Sequence, residues 1–482
     1  MPGFESLVLP LALGGALVGA LAEVRHGGRR NTGRGGRHRR GARWAGRRDL
    51  RPLAVSSRTP PPGRLLLGQA PGWGSGLAVE PAQSLVVIGP TQSGKTTCLA
   101  LPAILGWPGP VVAASVKDDL VRTSRAARAA RGTVWCVDPT RSTGLPTSAW
   151  SPLGGCDDWY GASRVATELC ETAKGEGTTA DGDFWYAAAA KALAPLLFAA
   201  AVQRATMADV VRWVDTQEVA EVAEILERHG PPEALEAARA TWCRDERTRS
   251  SVATTAETVL APYAQMAEDP CAPFFAPELL LEGTHTLYLC APAHDQRRLR
   301  GYFNAVTQRV LSLAFDRATR AGRPLDPPLL VVLDEAAHIA PLPELDGLAA
   351  TCASHGIQLV TIWQDLAQLR GRYGARAPTV LNNHRAKLFL PGIADPDTLD
   401  YASRLVGEEE VTLPSVTRDG RGGRSTTSTT TTRRLLPPEE LRCLRRGDAV
   451  LVYGTLPPAR LRLQPWWTGA AGTTRARRLG QP

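Results

Sequence analysis

Residues 85–97 read Leu85-Val-Val-Ile-Gly89-Pro90-Thr91-Gln92-Ser93-Gly94-Lys95-Thr96-Thr97. Four apolar β-formers run into a GxxxxGK[ST] loop, and Cys98-Leu99 continues as a helix. Strand, glycine-rich loop and helix in that order are the parts of a phosphate cradle. The small residues Gly89 to Gly94 let successive backbone N–H groups curl around phosphate oxygens. Lys95 reaches the β- and γ-phosphates, the Thr96 hydroxyl holds Mg²⁺, and the helix that begins at Thr96-Thr97 adds positive field. The ligands this spacing predicts are ATP and Mg²⁺.

Working outward, Pro327-Pro-Leu-Leu-Val-Val-Leu333 predicts a buried strand that ends in Asp334-Glu335. Acids at the carboxyl end of a parallel strand lie at the ligand edge of the sheet. Asp334 is expected to hold Mg²⁺ through water, and Glu335 to polarise the attacking water as general base. The run Gln358–Trp363 ends in Gln364, an amide placed to sense the γ-phosphate. Further apolar runs at 111–115, 133–137, 286–290, 386–390 and 449–453 alternate with helical stretches. That alternation predicts an α/β fold with a mostly parallel sheet. From about Gly154 to Asp269 strand patterns vanish and helical periodicity takes over, so an all-α insertion is expected. Residues 417–432, rich in Thr, Ser, Gly and Arg, read as an exposed flexible loop.

The predicted layout is a membrane anchor (1–24), a basic Arg/Gly-rich linker (25–62), a nucleotide-binding domain in two parts (63–153 and 275–467), the insertion (154–274), and a disordered tail (468–482). Ser6 to Ala22 carries no charge and as a helix spans roughly 25 Å, against a bilayer core of about 30 Å. Arg25 to Arg51 holds eleven arginines and one acid, Asp49, so this arm carries the whole net charge of +9 and the remainder is close to neutral. The arm reads as disordered, and under the positive-inside rule it keeps the bulk of the chain cytoplasmic behind a single-pass anchor in the inner membrane. A cleaved signal peptide would want its basic residues ahead of the apolar run. Nine scattered cysteines with no CxxC pair read as reduced, buried packing residues and offer no metal site. Trp185, Tyr186 and Trp242 read as packing residues more than as base-stacking ones.

These residues resemble a family, the conjugative coupling proteins of type IV secretion (the VirD4/TraG/TraD group), which are RecA-like P-loop ATPases. The resemblance runs from about Arg64 to Trp467. It is carried by Ile88–Thr97, Ser115-Val-Lys-Asp-Asp-Leu120, Ala149-Trp-Ser-Pro-Leu153, Asp183-Phe-Trp185, Leu333-Asp-Glu-Ala336, and Gly356-Ile-Gln-Leu359 leading to Gln364. It continues through Gln368-Leu369, Tyr373-Gly374 and Ala394-Asp-Pro-Asp-Thr-Leu-Asp-Tyr-Ala-Ser403 followed by Gly407. The order of these segments is more specific than any one of them. The resemblance implies a homo-hexameric ring at the bacterial inner membrane that recruits DNA, single-stranded with its attached relaxase, and feeds it to the secretion channel components. It further implies that the insertion helps select substrate and that a neighbour's arginine completes each site. Three features depart from the pattern, one of them a basic C-terminal tail where some members of the family have a long acidic one. One membrane segment is visible where the family usually has two, and the stretch before Gly356 reads Thr351-Cys-Ala-Ser-His355, with no arginine; Arg370, Arg372 and Arg385 are the substitutes nearby. Two other readings stand beside the DNA motor. One is an ATP-switched receptor for protein secretion that does no pumping. The other is a double-stranded DNA translocase of the FtsK type, disfavoured because residues 435–482 are too short and Pro-rich for a winged helix.

Lys95→Ala is expected to abolish tight nucleotide binding or turnover, because the loop loses its only point charge on the phosphates. Unchanged affinity for a fluorescent ATP analogue would remove the phosphate-loop reading.

Overall fold

The computed structural model describes residues 41–55, 61–174, 180–264, 272–418 and 424–468. Its strands are β1 (Ala54–Val55), β2 (Leu66–Gln69), β3 (Gly76–Ala78), β4 (Leu85–Ile88), β5 (Val111–Ser115), β6 (Val134–Val137), β7 (Thr286–Cys290), β8 (Leu329–Asp334), β9 (Ile357–Trp363), β10 (Ala386–Phe389), β11 (Glu408–Arg418), β12 (Arg424–Arg434), β13 (Asp448–Tyr453) and β14 (Ala459–Arg462). Twelve of them form one sheet in the order β1-β3-β2-β14-β13-β10-β4-β9-β8-β5-β7-β6. From β10 to β6 every neighbour is parallel. The strands on the β10–β1 side pair antiparallel.

The parallel strands β4, β5, β7, β8 and β9 are buried along their whole length, which is why each reads as an unbroken apolar run. Their side chains alternate between two cores. Val86, Ile88, Val112, Ala114, Val331 and Leu333 face one; Leu85, Val87, Val111, Ala113, Leu330 and Val332 face the other. The first core takes in the long helix Gln296–Ala321 and the helical insertion. The second is covered by Leu101–Gly106 and Asp119–Ala129.

Between β6 and β7 all regular elements among the described residues are helical. The Ala-rich helix Ala180–Val202 has the length and composition to cross a membrane, but most of its apolar window is buried. It packs against Trp159–Ala173, Met207–Asp215, Ala220–His229, Pro232–Trp242 and Glu246–Ala264 as the core helix of the insertion. Trp185, Tyr186 and Trp242 are half-buried, and the last two pack against the core. The expected anchor at 6–22 and the tail beyond 468 lie outside the described residues.

Three expectations are corrected. The described part of the Thr-rich stretch is not a loop: Arg424–Arg434 pairs antiparallel with Glu408–Arg418 in a separate two-stranded sheet, and residues 419–423 lie outside the described residues. The β-branched threonines that look like low complexity are also good strand formers. The basic arm is not disordered throughout either, because its described part, residues 41–55, is docked. The Ala42 N–H donates to the Glu408 carbonyl at 2.6 Å and the Ala45 N–H to the Pro458 carbonyl at 2.8 Å. Arg43 grips Asp49 with both guanidinium nitrogens at 2.6 and 2.8 Å, Arg460 lies 4.5 Å from the Trp44 ring centre, and Leu50 and Leu53 enter the second core. Finally, the eight described cysteines are free, but Cys243 and Cys443 are on the surface.

Two buried polar groups tie the layers together. Arg128 is fully buried and bonds to no carboxylate. Its guanidinium donates to the carbonyls of Trp107 (2.6 Å), Gly109 (2.8 Å) and Thr284 (3.0 Å) and to the Thr286 hydroxyl (2.7 Å). Burial pushes its pKa down to about 10. It pins the end of helix Asp119–Ala129 to the chain entering β5 and β7. His384 is also fully buried. Its Nδ1 donates to the Val380 carbonyl at 2.7 Å, which leaves Nε2 to accept the Thr361 hydroxyl at 3.1 Å.

Burial pushes the His384 pKa down to about 4, with the Val380 bond opposing and Lys387 adding to the depression. The unfolded chain, near 6.5, takes up a proton that the folded chain refuses. This residue's contribution is therefore complete above pH 6.5 and is lost as pH falls toward 4, by about 2.5 kcal/mol at pH 4.5. The gap in unfolding midpoint between wild type and His384→Gln is expected to narrow from pH 7.5 to 4.5. A gap constant with pH would show that His384 is not the titrating group.

Candidate nucleotide-binding site

The phosphate loop grows from the buried end of β4. Gly89 has to be glycine, because a Cβ there would sit 2.8 Å from Leu390 Cβ and 2.9 Å from Ser93 Oγ. The chain then turns through left-handed backbone at Gln92 (φ 62°) and Gly94 (φ 93°). The Ser93 hydroxyl donates to the Pro90 carbonyl at 2.7 Å. Lys95 is buried, and its Nζ donates to the carbonyls of Gly89 and Pro90, both at 2.6 Å. The ammonium is thus held against the loop that its own backbone forms. Burial lowers its pKa, the carboxylates of Asp334 and Glu335 oppose that, and Lys117 adds to it. Thr96–Ala100 winds as a π-turn, a wide turn often found at functional sites.

Strand register brings the acids to this loop. Ile88 pairs with Trp363 across β4 and β9, and Leu333 pairs with Thr361 across β9 and β8. β9 therefore lies between the loop strand and the acid strand, with all three ending nearly level. The Gly89 N–H donates to the Trp363 carbonyl at 3.1 Å and the Ala336 N–H to the Ile362 carbonyl at 3.0 Å. Across that gap the Thr96 hydroxyl donates to Asp334 Oδ2 at 2.9 Å. Asp334 is only 5% exposed. Burial pushes its pKa up to about 6; the Thr96 bond opposes this, Asp119 and Glu335 reinforce it, and Lys95 opposes it. A hydroxyl and a carboxylate in contact form an all-oxygen donor pair that suits Mg²⁺, which takes one or two carboxylates and keeps water for the rest of its shell. Among the described residues no group of three or more His, Cys, Asp or Glu forms a metal cluster.

Glu335 adopts left-handed backbone, φ 65°, a conformation costing a non-glycine residue about 1–3 kcal/mol and concentrated at active sites. The His338 N–H closes the turn onto the Glu335 carbonyl at 2.9 Å. Gln364 follows β9 directly, between the tips of β4 and β8. Its N–H donates to Gln368 Oε1 at 3.0 Å, while the Gln368 N–H donates to Asp365 Oδ1 at 2.8 Å and caps helix Leu366–Tyr373. Lys95, Thr96, Asp334, Glu335 and Gln364 thus share one edge of the sheet.

The three arginines considered as substitutes are not gathered there. Arg370 pairs with Asp397, and Arg372 donates to the Pro341 carbonyl at 3.2 Å. Arg385 precedes β10 at the opposite edge of the sheet, 5.4 Å from the Tyr453 ring centre and 3.6 Å from Glu80. Sequence reading assigned no role to the tip of β5, yet Asp119 is a charged neighbour of Asp334. The available signal was an acid opening a helix directly after a buried strand.

A family model described as "Type IV secretory system Conjugative DNA transfer" matches residues 51–478. Among characterised proteins the chain is similar to a conjugal transfer protein TraG of Escherichia coli, 25% identical over 468 residues, covering 86% of this chain and 72% of that one. It is also similar to VirD4 of Agrobacterium fabrum, 24% identical over 456 residues, covering 88% and 65%. Among solved structures it is similar to the bacterial conjugative coupling protein TrwBdeltaN70 in an unbound form, with a TM-score of 0.67, 19% identity, and coverage of 88% of this chain and 93% of that one. TrwB in complex with ADP and Mg²⁺ gives 0.65, 20%, 88% and 94%; at such identities the likeness speaks for the fold. With a nucleotide-type site at the edge of a RecA-like sheet and a family match across most of its length, the chain belongs to the conjugative DNA-transfer family of type IV secretion, the coupling proteins of the VirD4/TraG group.

Proposed function

We propose that the chain is an ATP hydrolase that takes DNA, single-stranded with a bound relaxase, and drives it toward a type IV secretion channel. The observation that carries the hydrolase reading is the 2.9 Å bond between Thr96 and Asp334 beside Glu335. It joins the metal-holding hydroxyl of the phosphate loop to the acid strand at the point where a γ-phosphate would be attacked. The family's DNA-transfer role supplies the cargo, and the ADP and Mg²⁺ in the TrwB complex support the choice of ligand.

In this reading the loop amides and Lys95 bind the phosphate chain, and Thr96 and Asp334 hold Mg²⁺. The ion, when bound, supplies charge neutralisation on the phosphates. Glu335 takes a proton from water as the water oxygen bonds to the γ-phosphorus and the bond to the ADP oxygen breaks. Gln364 carries the difference between ATP and ADP into helix Leu366–Tyr373 through Gln368. A neighbouring subunit of a homo-hexamer completes the site with an arginine, and the apolar segment at 6–22 anchors the ring in the inner membrane.

The test is ATPase activity of the full chain in lipid nanodiscs, with and without single-stranded DNA, over a range of protein concentrations. Stimulation by DNA together with a steep concentration dependence is the expected result. ATP turnover indifferent to DNA would replace the motor by a protein-secretion receptor. Glu335→Gln is expected to retain ATP and lose about 10²–10⁴ in turnover; a normal rate would unseat Glu335 as the base.

A further inference from the structure

We propose that Asp119 is a positioning residue of this site, its carboxylate holding the water shell of the Mg²⁺ bound by Thr96 and Asp334. The inference rests on the nucleotide reading above and adds to it a residue from a fourth strand tip.

Placement comes first. β5 lies on the side of β8 away from β9, and Ser115 at its end pairs in register with Asp334. The residues after Ser115 therefore turn beside Asp334 and Glu335. The Ser115 hydroxyl accepts the Lys117 N–H at 3.2 Å and sets the turn. Two acids follow, with different commitments. Asp118 is ion-paired with Arg122, which also donates to the Thr143 carbonyl at 2.6 Å, so Asp118 is tied to its own helix. Asp119 opens helix Asp119–Ala129 and uses Oδ1 to accept the Leu120 N–H at 2.8 Å. No side chain among the described residues donates to its Oδ2. The far end of the same helix is fixed by Arg128, so this placement is rigid.

Electrostatics agree with the placement. Asp119 and Glu335 are the carboxylates whose charge bears on Asp334. The Asp119 carboxyl is pushed up by burial, with the Lys117 ammonium opposing. Two neighbouring carboxylates repel one another, and a hydrated divalent cation removes that repulsion. Mg²⁺ gives up its waters reluctantly and commonly keeps several while phosphate oxygens and one or two protein oxygens complete the octahedron. With Thr96 and Asp334 holding the ion, Asp334 through water, Asp119 would accept hydrogen bonds from the remaining waters. Partners of this kind set the affinity for the metal without touching it.

The experiment follows binding of a fluorescent ADP analogue to the full chain, in EDTA and across a Mg²⁺ titration, for wild type, Asp119→Asn and Asp119→Glu. Asp119→Asn is expected to leave affinity in EDTA unchanged and to raise the half-effective Mg²⁺ concentration about tenfold. Asp119→Glu, which keeps the carboxylate, should recover most of that shift. A Mg²⁺ titration of Asp119→Asn matching wild type overturns the proposal. So does a parallel loss of affinity in EDTA, which would make Asp119 a helix-opening residue only. If wild-type binding ignores Mg²⁺ altogether, the nucleotide reading itself fails with it.

Discussion

The bond between Thr96 and Asp334 joins two strands that do not touch: Thr96 follows the phosphate loop that grows from β4, and Asp334 ends β8. β9 runs between them, and neighbouring strands are about 4.8 Å apart, so roughly two spacings must be closed by the loop, a threonine and an aspartate. That is feasible only if β4, β9 and β8 end at one level. Their registers, Ile88 with Trp363 and Leu333 with Thr361, meet that condition. A slip of one residue in β8 would turn Asp334 to the other face of the sheet and separate the acid from the loop. Gln364 and Glu335 obey the same constraint, since each directly follows a strand end, and Lys95 obeys it through the loop that grows from β4.

The same burial that fixes the register made much of the fold readable. Strands covered on both faces have to be apolar throughout, and Leu85–Ile88, Val111–Ser115 and Leu329–Leu333 announce themselves for that reason. The phosphate loop is readable because its chemistry constrains four positions at fixed spacing, Gly89, Gly94, Lys95 and Thr96. Strand order is not readable: nothing local in Ile357–Trp363 says that it inserts between β4 and β8. Asp119 was hidden by its neighbour, since two adjacent acids look alike until Arg122 claims one of them. The docked segment at 41–55 was hidden by composition. Its arginines suggest a solvated arm, while the residues that hold it, Trp44, Leu50 and Leu53, are few and widely spaced.

Composition is also silent on what surrounds an apolar helix. Residues 6–22 and 181–202 are both long apolar stretches when read from the sequence. Five helices wrap the second stretch, so its alanines and leucines are answered by protein. The difference between a membrane span and a core helix is thus a property of the neighbours, and it becomes visible only once the insertion is folded. The Thr-rich hairpin makes a related point. Counting residue types calls 417–432 simple, whereas pairing Arg418 with Arg424 and Glu408 with Arg434 uses the β-branched threonines for what their stiffness favours.

Glu335 shows why such a site is costly to build. A left-handed glutamate persists only where its surroundings over-determine it. Here the Ala336 N–H is bound to β9, the His338 N–H closes back on the Glu335 carbonyl, and Asp334 is held by Thr96, so the residue is fixed from both sides. A glycine would relieve the strain and remove the carboxylate. Continuing the strand would keep the carboxylate but take it past the loop. Its charge acts on both Lys95 and Asp334. The strain therefore has a structural cause, a chain that must leave the acid strand abruptly just after Asp334 and turn back within three residues.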